Sequence, residues 1–289
     1  MGSPPVTAVD AFRLDVDTGS GVAVVEMTGT GTGNAMGATV WRRLPELVAE
    51  LEDDERIRAV VLRGAGDRFT VGLDLRWYLT HYRRLVRHGT GHPEVRERLL
   101  AEAAAMQRAL DAVAASRLPF LAAVHGGCVG AGLDLAAACD IRFASADAFF
   151  SLREVTIGVV ADLGSLQRLP RLIGAGPTRE MALTGRDVPA GEAAGLGLVS
   201  RVLDTPRELF AHARAVAEGI ARHPVRVVAG IKDVLAQTQD LPLAAGLRYT
   251  AVWNAAFLPA PDLPDLLADA LRAPVAGDQA RPAGRRPGA

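Results

Sequence analysis

The stretch from His125 to Asp162 limits most strongly what this chain can fold into. It follows a short apolar run at 120–124, which predicts a buried strand, and it opens with the glycine-rich turn HGGCVGAG. A run of small apolar residues then predicts a helix. Two further short strands are predicted at Ile141 to Phe143 and at Ala148 to Leu152. Strands that alternate with helices in this way favour an α/β fold with a largely parallel sheet.

Three carboxylates of this stretch, Asp134, Glu154 and Asp162, stand among apolar residues. Burying an unpaired charge is costly, so each carboxylate needs either a partner or a shifted pKa. Structural roles are open for all three. Asp134 can lie at the positive end of its helix, Asp162 can cap the next helix, and Glu154 can pair with Arg153. The alternative is a group of acid/base residues.

Two glycine-containing turns indicate a second chemical element. Gly72 and Leu73 follow an apolar run, and Gly130 and Ala131 lie where the central helix begins. The N–H groups at a helix start lack intrahelical partners and carry partial positive charge. Two such donors aimed at one point would form an oxyanion hole; the alternative is that the glycines only permit tight turns. The glycine runs do not have the order of a dinucleotide-binding fingerprint, and the chain has no Walker A sequence or G-x-S-x-G elbow.

The remaining pattern divides the chain into a mixed part and a helical part. A hairpin is predicted from 12–16 and 22–27, and after Asp204 the pattern predicts helices only. We therefore expect three regions: a core at 10–204, a helical region at 205–272 and a disordered tail at 273–289.

The basic segment from Trp77 to Gly91 is expected to be solvated surface, ending in a mobile loop around 88–92. Whether this segment covers a bound substrate is open at this point.

Charge and cysteine content exclude several classes of partner. The formal net charge of −1 gives no reason to expect nucleic acid or an anionic membrane as partner, and no apolar window approaches the length of a membrane span. The only cysteines, Cys128 and Cys139, are expected to be reduced and buried. Without a signal-peptide pattern at the N-terminus, we expect a cytoplasmic protein.

As a set, these residues resemble the crotonase (enoyl-CoA hydratase/isomerase) superfamily. The likeness runs from Asn34-Ala-Met36 through Phe69–Leu75 to Trp253-Asn254. Within the superfamily, the block HGGCVGAGLDLAAACDIRF and its continuation DAFFSLREVTIGVVADLGSLQRLP are most similar to the Δ3,5-Δ2,4-dienoyl-CoA isomerases.

The resemblance implies an α/β fold: a crotonase-type spiral of repeated strand-strand-helix units, with a helical C-terminal region that mediates trimerisation. A homotrimer or homohexamer is therefore expected. The implied substrate is an acyl-CoA thioester. No metal or redox cofactor is implied, since CoA is part of the substrate.

The resemblance also assigns roles to residues. The backbone N–H groups of Leu73 and Ala131 would hold the thioester oxygen. Asp162 would take a proton from C2 and Glu154 would donate one at C6, while Asp134 orients and tunes the pair. Further contacts with the substrate are implied at Gly72, Asp74 and Gly130.

The chain departs from the family pattern at Gly33, where a basic residue usually helps to hold the CoA phosphates. Arg68, Arg76 or a residue from the tail of a neighbouring subunit is a candidate substitute. Lys232 aligns with a lysine of the family, and a helix-surface charge is its simpler interpretation.

Two other functions stay open. In a 2-enoyl-CoA hydratase, or an isomerase for another acyl-CoA, Asp134 and Glu154 would activate water and Asp162 would be a bystander. A non-catalytic acyl-CoA-binding protein would use the scaffold alone.

Overall fold

The structure, a computed structural model, describes residues 7–9, 11–29, 31–86, 91–258 and 260–272. Its strands are β1 (Thr7–Val9), β2 (Phe12–Asp17), β3 (Val22–Met27), β4 (Ala59–Gly64), β5 (Phe120–Val124), β6 (Gly127–Val129), β7 (Ile141–Ser145), β8 (Phe149–Ser151), β9 (Asp187–Pro189) and β10 (Arg201–Leu203). Its helices are α1 (Ala38–Asp53), α2 (Leu75–Leu85), α3 (Pro93–Ala115), α4 (Ala131–Ala138), α5 (Ser165–Ile173), α6 (Ala175–Thr184), α7 (Ala190–Gly195), α8 (Pro206–Ala221), α9 (Val225–Thr238), α10 (Leu243–Phe257), α11 (Leu263–Arg272) and a 3-10 helix (Glu154–Ile157). None of the helices in these ranges is long and apolar enough to cross a membrane.

The main sheet has seven strands in the order β1-β2-β3-β4-β5-β7-β10. β2 and β3 form the predicted antiparallel hairpin, and the strands from β3 to β10 are parallel. A second sheet, in the order β6-β8-β9, pairs β6 with β8 in parallel. The expected α/β class with a largely parallel sheet is confirmed.

Strand β4 explains why the main sheet is buried on both faces. Val60 and Leu62 point into the core beneath α1 and α3, whereas Ala59 and Val61 pack in a second cluster against α8. Successive side chains of a strand point to opposite faces, so a continuous apolar run matches a sheet covered on both sides.

Helix α8 belongs to this sandwich. It presents Leu209, Ala213, Ala217 and Ala221 to the sheet at four-residue spacing, and these small side chains allow a close approach. The sequence pattern predicted that the core ends at residue 204. The first compact unit instead extends from Met1 to Lys232, because α8 covers one face of the sheet.

The second compact unit runs from Asp233 to Ala289. Its described part is helical, and the hydroxyl of Tyr249 donates a hydrogen bond to Asp233 at 2.8 Å. The tail predicted to be disordered, 273–289, lies outside the described residues.

Lys232 is not the surface charge that its position suggested. Its Nζ donates a hydrogen bond to Leu118 O at 2.8 Å and forms an ion pair with Asp140 at 2.7 Å, and its side chain is only 11% exposed. Asp140 also accepts the N–H of Phe120 at 2.8 Å. The pair therefore ties the start of β5 to α9.

The segment after Asp74 also differs from expectation, because residues 75–85 form helix α2. The side chain of Asp74 accepts the N–H groups of Arg76 and Trp77, both at 3.0 Å, which satisfies two donors at the helix start. Of the loop expected around 88–92, residues 88–90 lie outside the described residues.

Candidate active site

A cavity of about 660 Å³ lies in the first compact unit. Its lining includes Leu73, Ala131, Glu154 and Asp162, together with residues of α2 and α3. The structure therefore brings both predicted oxyanion donors and two of the three predicted acids to one cavity.

The two predicted oxyanion turns touch each other. Gly72 has φ +84°, and a Cβ built there would lie 2.4 Å from the carbonyl oxygen of Val129 and 3.3 Å from the nitrogen of Ala131. Only glycine permits this close approach in a left-handed conformation. Within the described part of the chain, the N–H groups of Leu73 and Ala131 donate no hydrogen bond. Both donors are therefore available at the cavity wall.

The same contact region holds Glu154. Gly130 has φ +51° and precedes α4, and a Cβ at Gly130 would lie 2.9 Å from Glu154 Oε1. The pairing of β6 with β8 explains this placement, because Gly130 N–H donates to Ser151 O at 2.9 Å and the chain reaches Glu154 three residues later. The small sheet therefore sets a carboxylate beside the turn that supplies the Ala131 N–H.

Glu154 and Asp162 are electrostatically coupled. Desolvation raises the pKa of Glu154, and the negative charge of Asp162 raises it further. Desolvation also raises the pKa of Asp162, which lies at the more exposed part of the wall. Glu154 Oε2 is buried without a hydrogen-bond partner among the described residues. Like charges and burial both favour a proton on Glu154.

The structural roles considered for Glu154 and Asp162, an ion pair with Arg153 and a helix cap, are wrong. Arg153 forms its ion pair with Asp187, at 2.7 Å, across the β8–β9 side of the small sheet, and not with Glu154. The N-cap position of α5 is Gly164, with no side-chain cap, so Asp162 does not cap that helix.

Asp134 lies behind the cavity wall, not on it. Its side chain is buried, with the residue 1% exposed, and Oδ1 accepts hydrogen bonds from the N–H of Ser165, at 2.5 Å, and from the Ser165 hydroxyl. Oδ2 is buried without a partner among the described residues. Desolvation, reinforced by the charge of Glu154, raises the pKa of Asp134 to about 7. No sequence pattern indicated Ser165 as the partner of Asp134.

Helices α2 and α3 supply the wall that sequence analysis missed. Tyr78 and Tyr82 of α2 line the cavity together with Glu102 and Met106 of α3. The i, i+4 spacing of the two tyrosines was the available signal, because it places both on one helix face. Burial and the charges of Glu102 and Asp162 raise the pKa of Tyr78, so the phenol remains a hydrogen-bond donor.

Of the residues expected to contact substrate, Gly130 lines the cavity and Gly72 sits beside the lining residue Leu73. Asp74 lies outside the lining. Arg68 lines the cavity next to Gly33, where a Cβ would come within 3.4 Å of Arg68 Cδ, whereas Arg76 does not line it.

The described residues contain no cluster of three or more His, Cys, Asp or Glu side chains that could hold a metal ion.

Two backbone donors beside two carboxylates of raised pKa form a site that can stabilise an oxyanion while protons move. The enoyl-CoA hydratase/isomerase family model matches residues 17–256. The chain belongs to this family, which confirms the resemblance seen in the sequence.

Individual relatives agree with this assignment. The chain is 39% identical over 230 residues to the peroxisomal Δ(3,5)-Δ(2,4)-dienoyl-CoA isomerase of Arabidopsis thaliana, covering 80% of this chain and 82% of that protein. It is 35% identical over 264 residues to the human mitochondrial Δ(3,5)-Δ(2,4)-dienoyl-CoA isomerase, covering 91% and 80%. The crystal structure of an enoyl-CoA hydratase from Bacillus anthracis superposes with a TM-score of 0.80 at 27% identity, covering 91% of this chain and 97% of that one.

The expectation of a cytoplasmic protein is wrong by this comparison. The relatives named above are a peroxisomal and a mitochondrial protein. A missing signal-peptide pattern does not place a protein in the cytoplasm, so it did not justify the prediction.

Proposed function

We propose that this protein is an isomerase that converts 3,5-dienoyl-CoA to 2,4-dienoyl-CoA. The observation that carries the proposal is the presence of two carboxylates, Glu154 and Asp162, on the wall that also presents the N–H groups of Leu73 and Ala131. A 1,5 proton shift needs one group to remove a proton, another to donate one, and a site for the charge that develops between these events. The names of the two relatives support this choice of reaction.

In the proposed mechanism, the Asp162 carboxylate removes a proton from C2 of the substrate. The electron pair at C2 delocalises onto the thioester oxygen, which accepts hydrogen bonds from the N–H groups of Leu73 and Ala131, and through the diene to C6. Glu154, protonated at the start, donates its proton at C6, and the double bonds move to C2–C3 and C4–C5. The proton then passes from Asp162 back to Glu154, so no proton is consumed.

The direction of transfer follows from the surroundings of the two acids. Glu154 is the more buried of the pair, and the charge of Asp162 adds to desolvation in raising the pKa of Glu154. The proton of a coupled pair resides on the group whose charged form is less stable. We therefore assign Glu154 as the acid and Asp162 as the base. Asp134, held by Ser165, would lie behind the cavity lining and orient the pair.

Hydration of 2-enoyl-CoA is the main alternative, since the solved B. anthracis relative is named a hydratase. That reaction would require Asp134 and Glu154 to activate one water together. Asp134 lies outside the cavity lining, and its Oδ1 is already used by Ser165. This placement favours isomerisation.

Ultraviolet assays of 3,5-dienoyl-CoA and 2-enoyl-CoA in parallel test the proposal, because each reaction changes conjugation with the thioester. We expect fast isomerisation and slow hydration by the wild-type protein. Asp162→Asn and Glu154→Gln should each lower kcat for isomerisation by roughly 10²–10⁴-fold, the usual value of general acid–base catalysis. Hydration that survives in Asp162→Asn, with no isomerisation in the wild type, would assign the protein as a hydratase.

We further propose that the reaction needs no metal or redox cofactor, since both proton transfers use carboxylates of the chain. Exhaustive dialysis against a chelator should leave kcat unchanged, and a loss that added metal restores would contradict this.

We also propose a homotrimer, or a hexamer of two trimers, assembled through the helical C-terminal region. Within that unit, large apolar side chains are exposed on α10 and α11, namely Leu243, Leu247, Val252, Phe257, Leu267 and Leu271. Leaving so much apolar surface in water is unusual for a monomer. Light scattering coupled to size-exclusion chromatography measures the mass, and a monomer at micromolar concentration would refute the proposal.

A further inference from the structure

Asp162 lies on a segment that secondary structure does not fix. Residues 158–164 connect the 3-10 helix to α5 and have no regular secondary structure. A base must be held within about 1 Å of its productive position, because a misplacement of that size can cost roughly 10²-fold in rate. Contacts from other parts of the chain must therefore position this segment.

The first such contact comes from α3. Gln107 Nε2 donates a hydrogen bond to the backbone carbonyl of Asp162 at 2.5 Å. Only the amide nitrogen of a glutamine can face a carbonyl oxygen, since the other side-chain atom is itself an acceptor. Helix α3 is anchored nearby because Ala109, Leu110 and Val113 are buried in the core. Gln107 therefore connects the catalytic segment to a rigid element.

The second contact passes through Arg168 of α5. Its Nη1 donates to Leu163 O at 3.3 Å, and its Nη2 forms an ion pair with Asp111 of α3 at 2.5 Å. The guanidinium thus holds the residue next to Asp162 and attaches it to the same helix, four residues beyond Gln107.

The third contact comes from Asp134 of α4, whose Oδ1 accepts hydrogen bonds from the N–H and the hydroxyl of Ser165. The segment that carries Asp162 is consequently fixed from α3 on one side and from α4 on the other.

We propose that Gln107 is a positioning residue for the reaction: its hydrogen bond to the Asp162 carbonyl holds the carboxylate of Asp162 in the position where it meets the substrate, and Arg168 supports this placement from the adjacent residue. The inference rests on the proposed function of Asp162 as the base. Gln107 is outside the cavity lining, so it acts on the reaction only through Asp162.

The variant Gln107→Glu tests this most directly, since it keeps the size of the side chain and replaces the N–H donor with a carboxylate oxygen that repels the carbonyl. We expect kcat to fall about 10- to 100-fold, with KM changed less than about threefold, because ground-state binding of the acyl-CoA is untouched. Gln107→Lys retains a donor of similar reach and should recover most of kcat. Arg108→Ala, at the exposed neighbouring position of α3, is the control and should match the wild type.

Two further readouts separate positioning from a loss of structure. In the Asp162→Asn background, Gln107→Glu should lower the residual rate no further, because two residues that act through one group are not additive. The acid limb of the pH profile of kcat/KM should also move to lower pH in Gln107→Met, which removes the donor without adding a negative charge that would itself raise the pKa of Asp162. A released segment brings Asp162 into water, which returns its pKa toward the ordinary range, while Glu154 and Tyr78 still face it.

The outcomes distinguish this inference from the proposed function. A wild-type protein that does not isomerise 3,5-dienoyl-CoA, or an Asp162→Asn variant with full activity, refutes the function itself. An active wild type and an inactive Asp162→Asn, with Gln107→Glu at wild-type kcat, refute the positioning role alone. Equal losses from Gln107→Glu in both backgrounds, or an effect confined to KM, refute it as well.

Discussion

Replacing Gly72 with alanine tests whether the contact between the two turns forms the oxyanion hole. The new Cβ would lie 2.4 Å from the carbonyl oxygen of Val129, where ordinary contact begins near 3.4 Å. The turns must therefore separate by about 1 Å, which carries the N–H of Leu73 away from that of Ala131.

The expected effect of Gly72→Ala on stability and on kcat follows from two costs. A left-handed alanine costs about 1–2 kcal/mol of stability, and loss of one oxyanion donor costs roughly 10²–10³-fold in kcat, or about 3–4 kcal/mol. Gly66→Ala is the matched control, since Gly66 has φ +72° and a Cβ there meets nothing within 4 Å. Both variants therefore carry the same backbone cost. The difference in kcat/KM between them measures the effect of the clash at Gly72 alone.

The assay compares kcat/KM of the two variants with 3,5-dienoyl-CoA at a temperature where thermal unfolding shows both to be folded. We expect Gly72→Ala to be about 10²-fold slower than Gly66→Ala. If the two variants differ by less than about threefold while Gly72→Ala is folded, the assignment of the Leu73 and Ala131 donors is wrong.

Three further predictions concern stability and substrate range. The pKa of Asp134 is raised to about 7 in the folded state, so the contribution of this carboxyl group to wild-type stability should fall by up to about 4 kcal/mol as pH rises from about 4 to 7. Asp134→Asn, which can still accept from Ser165, should lose this slope in urea unfolding; an unchanged slope contradicts the assignment. Lys232→Met, which leaves the Leu118 carbonyl and Asp140 without their ammonium partner, should lower the free energy of unfolding by about 1–3 kcal/mol, and an unchanged urea midpoint would contradict it. Ala103 of α3 lines the cavity, so Ala103→Phe should narrow the cavity and reduce kcat/KM for long acyl chains at least about tenfold more than for short ones. Equal effects across chain lengths would show that acyl chains do not pass Ala103.

Much of the fold was predictable because its signals are local. The apolar run at 59–62 and the alternating residues at 22–27 specify strands, and the amphipathic pattern of 94–115 specifies a helix, whatever lies around them. The segment from Trp77 was interpreted as solvated surface from its basic residues, and this interpretation did not show that residues 75–85 form a helix or that Tyr78 and Tyr82 line the cavity. The capping carboxylate of Asp74 was the signal that it starts a helix.

The candidate site was predictable as a set of residues but not as an arrangement. The carboxylates stood out because charge is rare in apolar surroundings, and the glycines stood out because turns need them. No local pattern indicated that Arg153 pairs with Asp187, 34 residues away, or that Asp134 is satisfied by Ser165, 31 residues away. Local ion-pair and capping roles therefore remained open until the structure excluded them.

By itself, then, the amino-acid sequence determined the order of strands and helices, the turns that require glycine and the acids that need a chemical explanation, since each depends on neighbours along the chain. Only the tertiary structure decided which acids reach the cavity: it placed Glu154 beside Gly130, left Asp162 on a wall fixed by Gln107, and withdrew Asp134 behind that wall. The physical reason is that burial and hydrogen bonding set the protonation of a carboxylate, and in this protein both come from residues that the parallel sheet brings together across long stretches of chain.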